Sequence, residues 1–383
     1  MAARRRHRHL ILGAGASGLA LAAGLTRRGV DAEIVLVDRR VDDARDRTWA
    51  AFAGDGLWPA GAERRRFTAW AMQREGEVVR GSSRRHPYCL IDAPALFSGL
   101  LHEAGPRVEL RLGTAVLGVT RTADGWVVRT SDGEIEADSV VDALGPSSPL
   151  LAERPRGLFQ RFTGFEVQVE HPVFDPGTAM LMDFDWPQDP SGGVRFCYRL
   201  ALTPTRALVE DTSLTAGPAL PTHERWEAVA AWLDGQGAGA VEVLHRERAS
   251  LPMTATWPAH RLAIPTVGAA AGALRPSSGY GLVRLLRHAE AMADAIATGR
   301  DPLSVPAPGQ ASLRPLDGIF LRALHDEPER FPEVFVAMAR RLDDEAFVRF
   351  MSDRAGARDV ARMIASVPRA PFLRAAAALR SAA

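Results

Sequence analysis

Lysine is missing from this chain of 383 residues: all 47 side chains counted as Lys or Arg are arginine. Its absence removes lysine Schiff bases and the P-loop, whose lysine grips phosphate, and together with the alanine content it reads as codon bias. Cysteine is scarce as well. Cys89 and Cys197 are the two, far apart and without metal-like spacing, which suits structural thiols in a reducing compartment and leaves no metal site to assign. Charge of either sign is not in excess, with 47 cations against 46 acids, so no bulk field recruits nucleic acid. A long apolar run is lacking too. The uncharged stretch from Leu10 to Leu25 follows Arg4-Arg5-Arg6-His7-Arg8-His9 and imitates a secretory signal. It is too short to cross a bilayer, it holds four glycines, and a βαβ pattern continues beyond it.

What is present begins with that same stretch. Leu10-Ile11-Leu12 leads into Gly13-Ala14-Gly15-Ala16-Ser17-Gly18, and a second apolar run, Glu33 to Val37, ends in Asp38. This is a complete dinucleotide fingerprint. Gly13 makes the tight turn, Gly15 lets a pyrophosphate approach bare backbone, and Gly18 allows helix to pack on strand. The helix N-terminus offers free N–H groups and its positive dipole end, and Asp38 accepts from a ribose hydroxyl. Beyond the second strand, Asp42 to Trp58 is turn-rich and polar. Arg45 and Arg47 there either reach a pyrophosphate from the ligand crevice or belong to a solvated loop.

Leu90 to Glu103 reads as a helix capped by Asp92, with Pro94 in its first turn. Short strands follow at 108–112, 115–120, 125–130 and 134–137, with Asp132-Gly133 as a hairpin turn. They feed Val140-Val141-Asp142-Ala143-Leu144-Gly145, a buried strand ending in small residues that lets the chain pass close to a bound ligand. The length suits two lobes. From Gln160 to Pro258 apolar and alternating strands read as an antiparallel sheet, one face of which floors a cavity between lobes. Glu210-Asp211 closes the apolar run Ala207-Leu208-Val209. A carboxyl meeting the apolar interior there would stay protonated at neutral pH and could donate a proton; a pair capping a turn toward solvent is the other reading. Pro276-Ser277-Ser278-Gly279-Tyr280-Gly281 opens a helix that runs through Leu285 and Ile296. From Leu313 onward the tail is helical, with apolar stripes that serve as core or, flanked by Arg340, Arg341 and Arg349, as a membrane-facing surface.

A fingerprint followed some 130 residues later by a strand-glycine run resembles the layout of aromatic-hydroxylase flavoproteins, which implies that Gly145 lies near FAD. More specifically, Arg47-Thr48-Trp49, Phe162-Thr163-Gly164-Phe165-Glu166, Leu208-Val209-Glu210-Asp211-Thr212, Leu251-Pro252-Met253, the small-residue run from Gly268 and Pro276 to Tyr280 occur in order. Over about residues 9–370 the chain resembles the bacterial FAD-dependent lycopene β-cyclases. The resemblance implies an α/β, two-lobed flavoprotein: a Rossmann-type FAD-binding domain over 1–157 and 259–300, an antiparallel-sheet substrate domain over 158–258, and a helical segment over 301–383.

It further implies a redox-neutral closure of the ψ ends of lycopene to β-ionone rings. Reduced FAD stabilises the carbocation and NAD(P)H is the reductant. Glu210 is the implied acid, and Asp211, turned to the opposite side of its strand, is its functionally important neighbour. Gly13, Gly15, Gly18, Asp38, Arg47, Gly145, Gly268, Pro276, Gly279 and Tyr280 are the implied cofactor residues. The substrate places the enzyme in the cytoplasm, peripheral on the inner face of the membrane. Arg275, Ser277 and Gly281 stand where the family has His, Thr and Ser, departures that bear on substrate preference more than on fold. A flavin monooxygenase or prenyl reductase acting on a hydrophobic isoprenoid is the alternative.

Overall fold

The fingerprint folds as β1 (Arg8–Leu12), α1 (Ala16–Arg27) and β2 (Glu33–Val37). The computed structural model describes residues 7–41, 47–52, 56–188, 192–309 and 313–381, so Arg45 lies outside the described residues. β1 is the second strand of a parallel sheet ordered β12-β1-β2-β8, in which β8 is Val108–Arg111 and β12 is Ser139–Asp142. Both faces of this sheet are covered, which is why its central strands β1 and β2 carry unbroken apolar runs, at 10–12 and 34–37, instead of alternating. On one face α1 packs against α2 (Ala93–Ala104) and α4 (Leu282–Ala297). On the other, Leu10 and Val35 meet Trp126, Val128 and Ile135 of a small antiparallel sheet, β9 (Val116–Arg121), β10 (Trp126–Thr130) and β11 (Gly133–Ala137). Asp92 caps α2 as its sequence predicts, accepting from the Ala95 N–H at 3.3 Å.

The second large sheet has seven strands in the order β17-β13-β16-β15-β14-β5-β6. Five of them come from the middle of the chain: β13 (Leu158–Val169), β14 (Thr178–Asp183), β15 (Val194–Thr203), β16 (Arg206–Thr215) and β17 (Val241–Met253). β5 (Ala69–Arg74) and β6 (Glu77–Ser82) extend it from the first segment, β5 running parallel to β14. One face carries Phe165, Val167, Cys197 and Val209 against α3 (Thr222–Gly235). The other carries Phe196, Leu200 and Leu208 toward the C-terminal helices α5 (Arg314–Asp326), α6 (Phe331–Arg341) and α7 (Asp344–Met351). α8 (Ala357–Ser366) and α9 (Arg369–Ser381) follow them. The architecture is thus mixed α/β, with a parallel sheet, antiparallel sheets and a helical C-terminal region.

Two local readings change. Thr48–Phe52, within the stretch expected to be a loop, is β3: it pairs with β7 (Tyr88–Asp92), which also pairs with β4 (Glu63–Phe67). Residues 276–281 form a turn, and α4 starts only at Leu282. Gly279 has φ +67° and its N–H returns to the Arg275 carbonyl, a conformation that a continuing right-handed helix excludes.

Candidate active site

Each fingerprint glycine has a distinct steric reason. Gly13 has φ +103°, and a Cβ on it would lie 2.6 Å from the Ala143 carbonyl oxygen. At Gly18 a Cβ would lie 1.9 Å from the Gly13 oxygen, so helix and turn touch through backbone. A Cβ on Gly15 would meet no heavy atom within 4 Å. Packing therefore does not require Gly15, the second of the three, whereas a ligand lying on bare backbone at the α1 N-terminus would. Asp38 seals the turn: its carboxylate accepts from Ala14 N–H at 2.8 Å and Arg40 N–H at 2.9 Å, and the Arg40 guanidinium donates both to it and to the Ala14 carbonyl. Burial works to raise the pKa of Asp38, and the Arg40 and Ala14 hydrogen bonds outweigh it, so the group is held below its usual range and charged. Sequence reading missed Arg40, which sits two residues beyond the acid it neutralises.

Gly145, with φ +82° and open space where a Cβ would stand, follows the end of β12 beside that turn. Gly268 lies against the first turn of α1, where a Cβ would come 1.9 Å from Ser17 Oγ. Its N–H donates to Nδ1 of His288, a ring kept neutral because burial depresses it to about 4. Arg47 is exposed and immediately precedes β3. Pro276 belongs to the half-buried turn before α4, whose residues Ser277 to Gly281 face a cavity together with Thr48 and Trp49 of β3.

That cavity has a volume of about 380 Å³. Its floor is the sheet face bearing Phe196, Leu200, Leu208, Glu210 and Thr212, and its roof includes Phe320, Phe335, Met338 and Phe350. Ile364 of α8 and Leu373 of α9 line it too while remaining 45% and 65% exposed, which marks the mouth. Glu210 is 7% exposed. Burial first, then repulsion from Glu247 and a hydrogen bond with it, push its carboxyl well above the usual range and favour its protonated form. A second carboxyl, Asp317 of α5, lines the cavity near Arg275. Burial raises it against a hydrogen bond with Ser277 and the attraction of Arg275 and Arg284.

Glu210 and Asp211 part company at this point. β16 alternates, so Asp211 points through the sheet toward α3 and away from the cavity. There it is fully buried and accepts from Arg195 Nε at 3.0 Å, an Arg225 guanidinium nitrogen at 2.6 Å and Trp186 Nε1 at 2.9 Å. Asp211 thus lies on the opposite face of the strand, as the resemblance placed it, and ties β16 to α3 through Arg225, while Glu210 alone of the pair faces the cavity.

Two features of the site were not read from sequence. Glu247 on β17 comes to Glu210 across Gly164, which is paired with both. And Tyr88, Tyr198 and Tyr280, all the tyrosines the chain has, form one hydrogen-bonded cluster, with the Tyr88 hydroxyl 3.0 Å from that of Tyr198 and 3.2 Å from that of Tyr280. Burial lifts all three phenols above their usual range, so they remain neutral donors. Three tyrosines in 383 residues was the available signal for the cluster; nothing local signalled Glu247.

Comparison with known proteins matches residues 9–377 to the family described as Lycopene cyclase protein. A carotenoid cyclase of Deinococcus radiodurans, itself described as uncharacterized, is 32% identical over 296 residues, covering 76% of this chain and 70% of that one. The lycopene beta-cyclase of a Paracoccus species is 29% identical over 318 residues, 80% and 76% of the two chains. Among solved structures, a geranylgeranyl bacteriochlorophyll reductase-like protein of Thermoplasma acidophilum superposes with TM-score 0.64 at 12% identity, over 97% of this chain and 98% of that one. Klebsiella pneumoniae HpxO, complexed with FAD and uric acid, gives 0.62 at 17% identity over 94% and 97%. At such identities the likeness is one of fold.

Proposed function

The chain belongs to the lycopene cyclase family and is an enzyme of that kind; from this premise we propose that it closes the ψ ends of lycopene into β-ionone rings, with Glu210 as the proton donor. The observation that carries the reading is a buried carboxyl, whose protonated form is favoured by burial and by Glu247, at the floor of a largely apolar cavity. Glu210 gives its proton to the terminal carbon–carbon double bond, which leaves a tertiary cation. The inner double bond supplies the electron pair of the new ring bond, and loss of a ring proton restores a double bond. Proton gain and proton loss balance, so product and substrate are isomers. The apolar walls keep water from capturing the cation as an alcohol.

An adenine dinucleotide flavin suits the residues present, because Gly15 and Gly145 leave open backbone where a Cβ would otherwise stand. Gly13, Gly15 and Gly18 would admit its pyrophosphate, Asp38 its ribose, and Gly268, Pro276, Gly279 and Tyr280 its ring, with Arg47 at the phosphates. When bound and reduced by NAD(P)H, FAD supplies negative charge beside the developing cation. One end of the polyene would occupy the cavity, and the rest leaves through the mouth at Ile364 and Leu373, which we set against a membrane. No helix among the described residues is long and apolar enough to cross one. The deciding test is anaerobic turnover with NAD(P)H and lycopene. Cyclisation yields a product of unchanged mass carrying β-rings, whereas hydroxylation or reduction would shift the mass and consume reductant stoichiometrically. Glu210→Gln is expected to retain FAD and to lose ring formation by at least ~100-fold; near wild-type ring formation by this variant would remove Glu210 from the role.

A further inference from the structure

We propose that Glu210 works as half of a carboxyl pair, with Glu247 as the positioning residue that shares its proton and holds it in the acid form. The proposal rests on the cyclase reading above and adds a partner for its acid. Its geometry is a single row across four strands. Tyr198 of β15 is paired with Glu210 of β16, Glu210 with Gly164 of β13, and Gly164 with Glu247 of β17. Residues paired in this way project from the same face, and carboxyls two strands apart would normally be held apart by the side chain between them. Here that side chain is absent. A Cβ on Gly164 would lie 3.0 Å from Glu247 Cγ and 3.1 Å from Glu210 Cγ, so both acids lean into the space glycine leaves. φ at this residue does not demand glycine; its steric reason is that the two acids, with Leu208 Cδ1 at 3.2 Å, fill the place of a Cβ.

Two buried carboxyls this close cannot both be ionised, and one proton between them is the stable arrangement. Their surroundings decide which of them carries it. Glu247 Oε2 accepts from the Thr48 hydroxyl at 2.7 Å and has His245 Nε2 at 3.8 Å, and Arg64 of β4 feels its charge. Glu210 faces the apolar cavity, with Tyr198 and Tyr280 as its other titratable neighbours. Charge therefore settles on Glu247 and the proton on Glu210, directed at the substrate. Once Glu210 has protonated the polyene, two carboxylates lie beside the new cation, and the ring proton lost in the last step restores the pair. Thr48 follows Arg47 in the segment that also approaches the proposed cofactor, so the clamp on Glu247 and the flavin cradle share β3.

The test uses the flavin-loaded protein and two readouts, the pH dependence of ring formation and the infrared carboxylic-acid band at neutral pH. Wild type should show one protonated-carboxyl band that Glu210→Gln abolishes. Glu247→Gln removes the neighbouring charge, so Glu210 should ionise more readily. Its band should shift or weaken, and the alkaline limb of activity should move down by about one pH unit or more. Gly164→Ala should do the same by separating the carboxyls. Combined with Glu247→Gln it should add little, since both act on one contact; a purely structural effect of either would add. An unchanged band and an unchanged alkaline limb in both single variants would overturn the pairing. A wild-type protein that shows the paired band yet makes no isomeric product would sink the cyclase reading and leave the pair standing.

Discussion

Removing the Asp211 carboxyl would leave the guanidinium groups of Arg195 and Arg225 together in a layer where their side chains are 7% and 2% exposed. Stranded buried charge of this kind costs about 3–5 kcal/mol, so Asp211→Ala should unfold at markedly lower denaturant concentration. Its neighbour behaves oppositely. The folded-state pKa of Glu210 is raised, so the folded protein binds a proton that the unfolded chain releases above about pH 4.3. The stability this provides is present below that value and is lost as pH rises toward the raised one. Glu210→Gln should therefore flatten the fall in melting temperature from mildly acidic to alkaline pH; a parallel fall in wild type and variant would contradict the burial argument. These opposite fates were legible in part. Strict alternation along Leu208-Val209-Glu210-Asp211 says that the two acids point to opposite faces, but which face is the cavity depends on where α3 and the C-terminal helices pack. Glu247 was out of reach because its place beside Glu210 is set by the register of β13 with two other strands, and a one-residue slip would turn it to the other face.

At the scale of elements, the β1–α1 turn was legible because its three glycines fall within six residues, although the steric reason for Gly13 includes the distant Ala143 carbonyl. The structure divides those reasons in a way that can be measured. Gly18→Ala forces a methyl to 1.9 Å from a carbonyl oxygen and should destabilise the fold itself. Gly15→Ala places its methyl in open space, so thermal stability without cofactor should match wild type while FAD affinity falls by at least ~10-fold. Equal losses of stability in the two variants would mean that the turn is glycine-rich for packing alone. By contrast, β3 was hidden. Thr48-Trp49-Ala50-Ala51-Phe52 has a mixed local pattern beside a polar stretch, and it becomes a strand through register with Tyr88 to Asp92 some forty residues later. The turn at 276–281 misled for the converse reason: a helical period from Leu282 onward invites extension backwards, and the left-handed Gly279 stops it.

For the whole molecule, the arrangement that sets a dry acid deep in the cavity also leaves apolar side chains outside it. The core of the helical tail was readable from its stripes, since Phe331, Val334, Phe335 and Phe347 are buried as packing residues. The last two helices differ. Leu373 of α9 and Ile364 of α8 are exposed at the mouth, Leu379 is exposed farther along α9, and Arg362, Arg374 and Arg380 share those helices. A substrate that dissolves only in lipid must enter from lipid, and apolar residues flanked by arginines suit an anionic surface. Each large aliphatic side chain moved from water into the acyl boundary contributes about 1.5–3 kcal/mol. Ile364→Asp combined with Leu373→Asp should therefore abolish flotation with anionic vesicles. Bound FAD should persist, because neither residue belongs to the proposed flavin cradle, so a loss of flotation would not be a loss of fold. Raising the salt concentration should weaken wild-type flotation on anionic vesicles as the arginines are screened. If flotation survives both the double substitution and high salt, the mouth is not where the protein meets the bilayer.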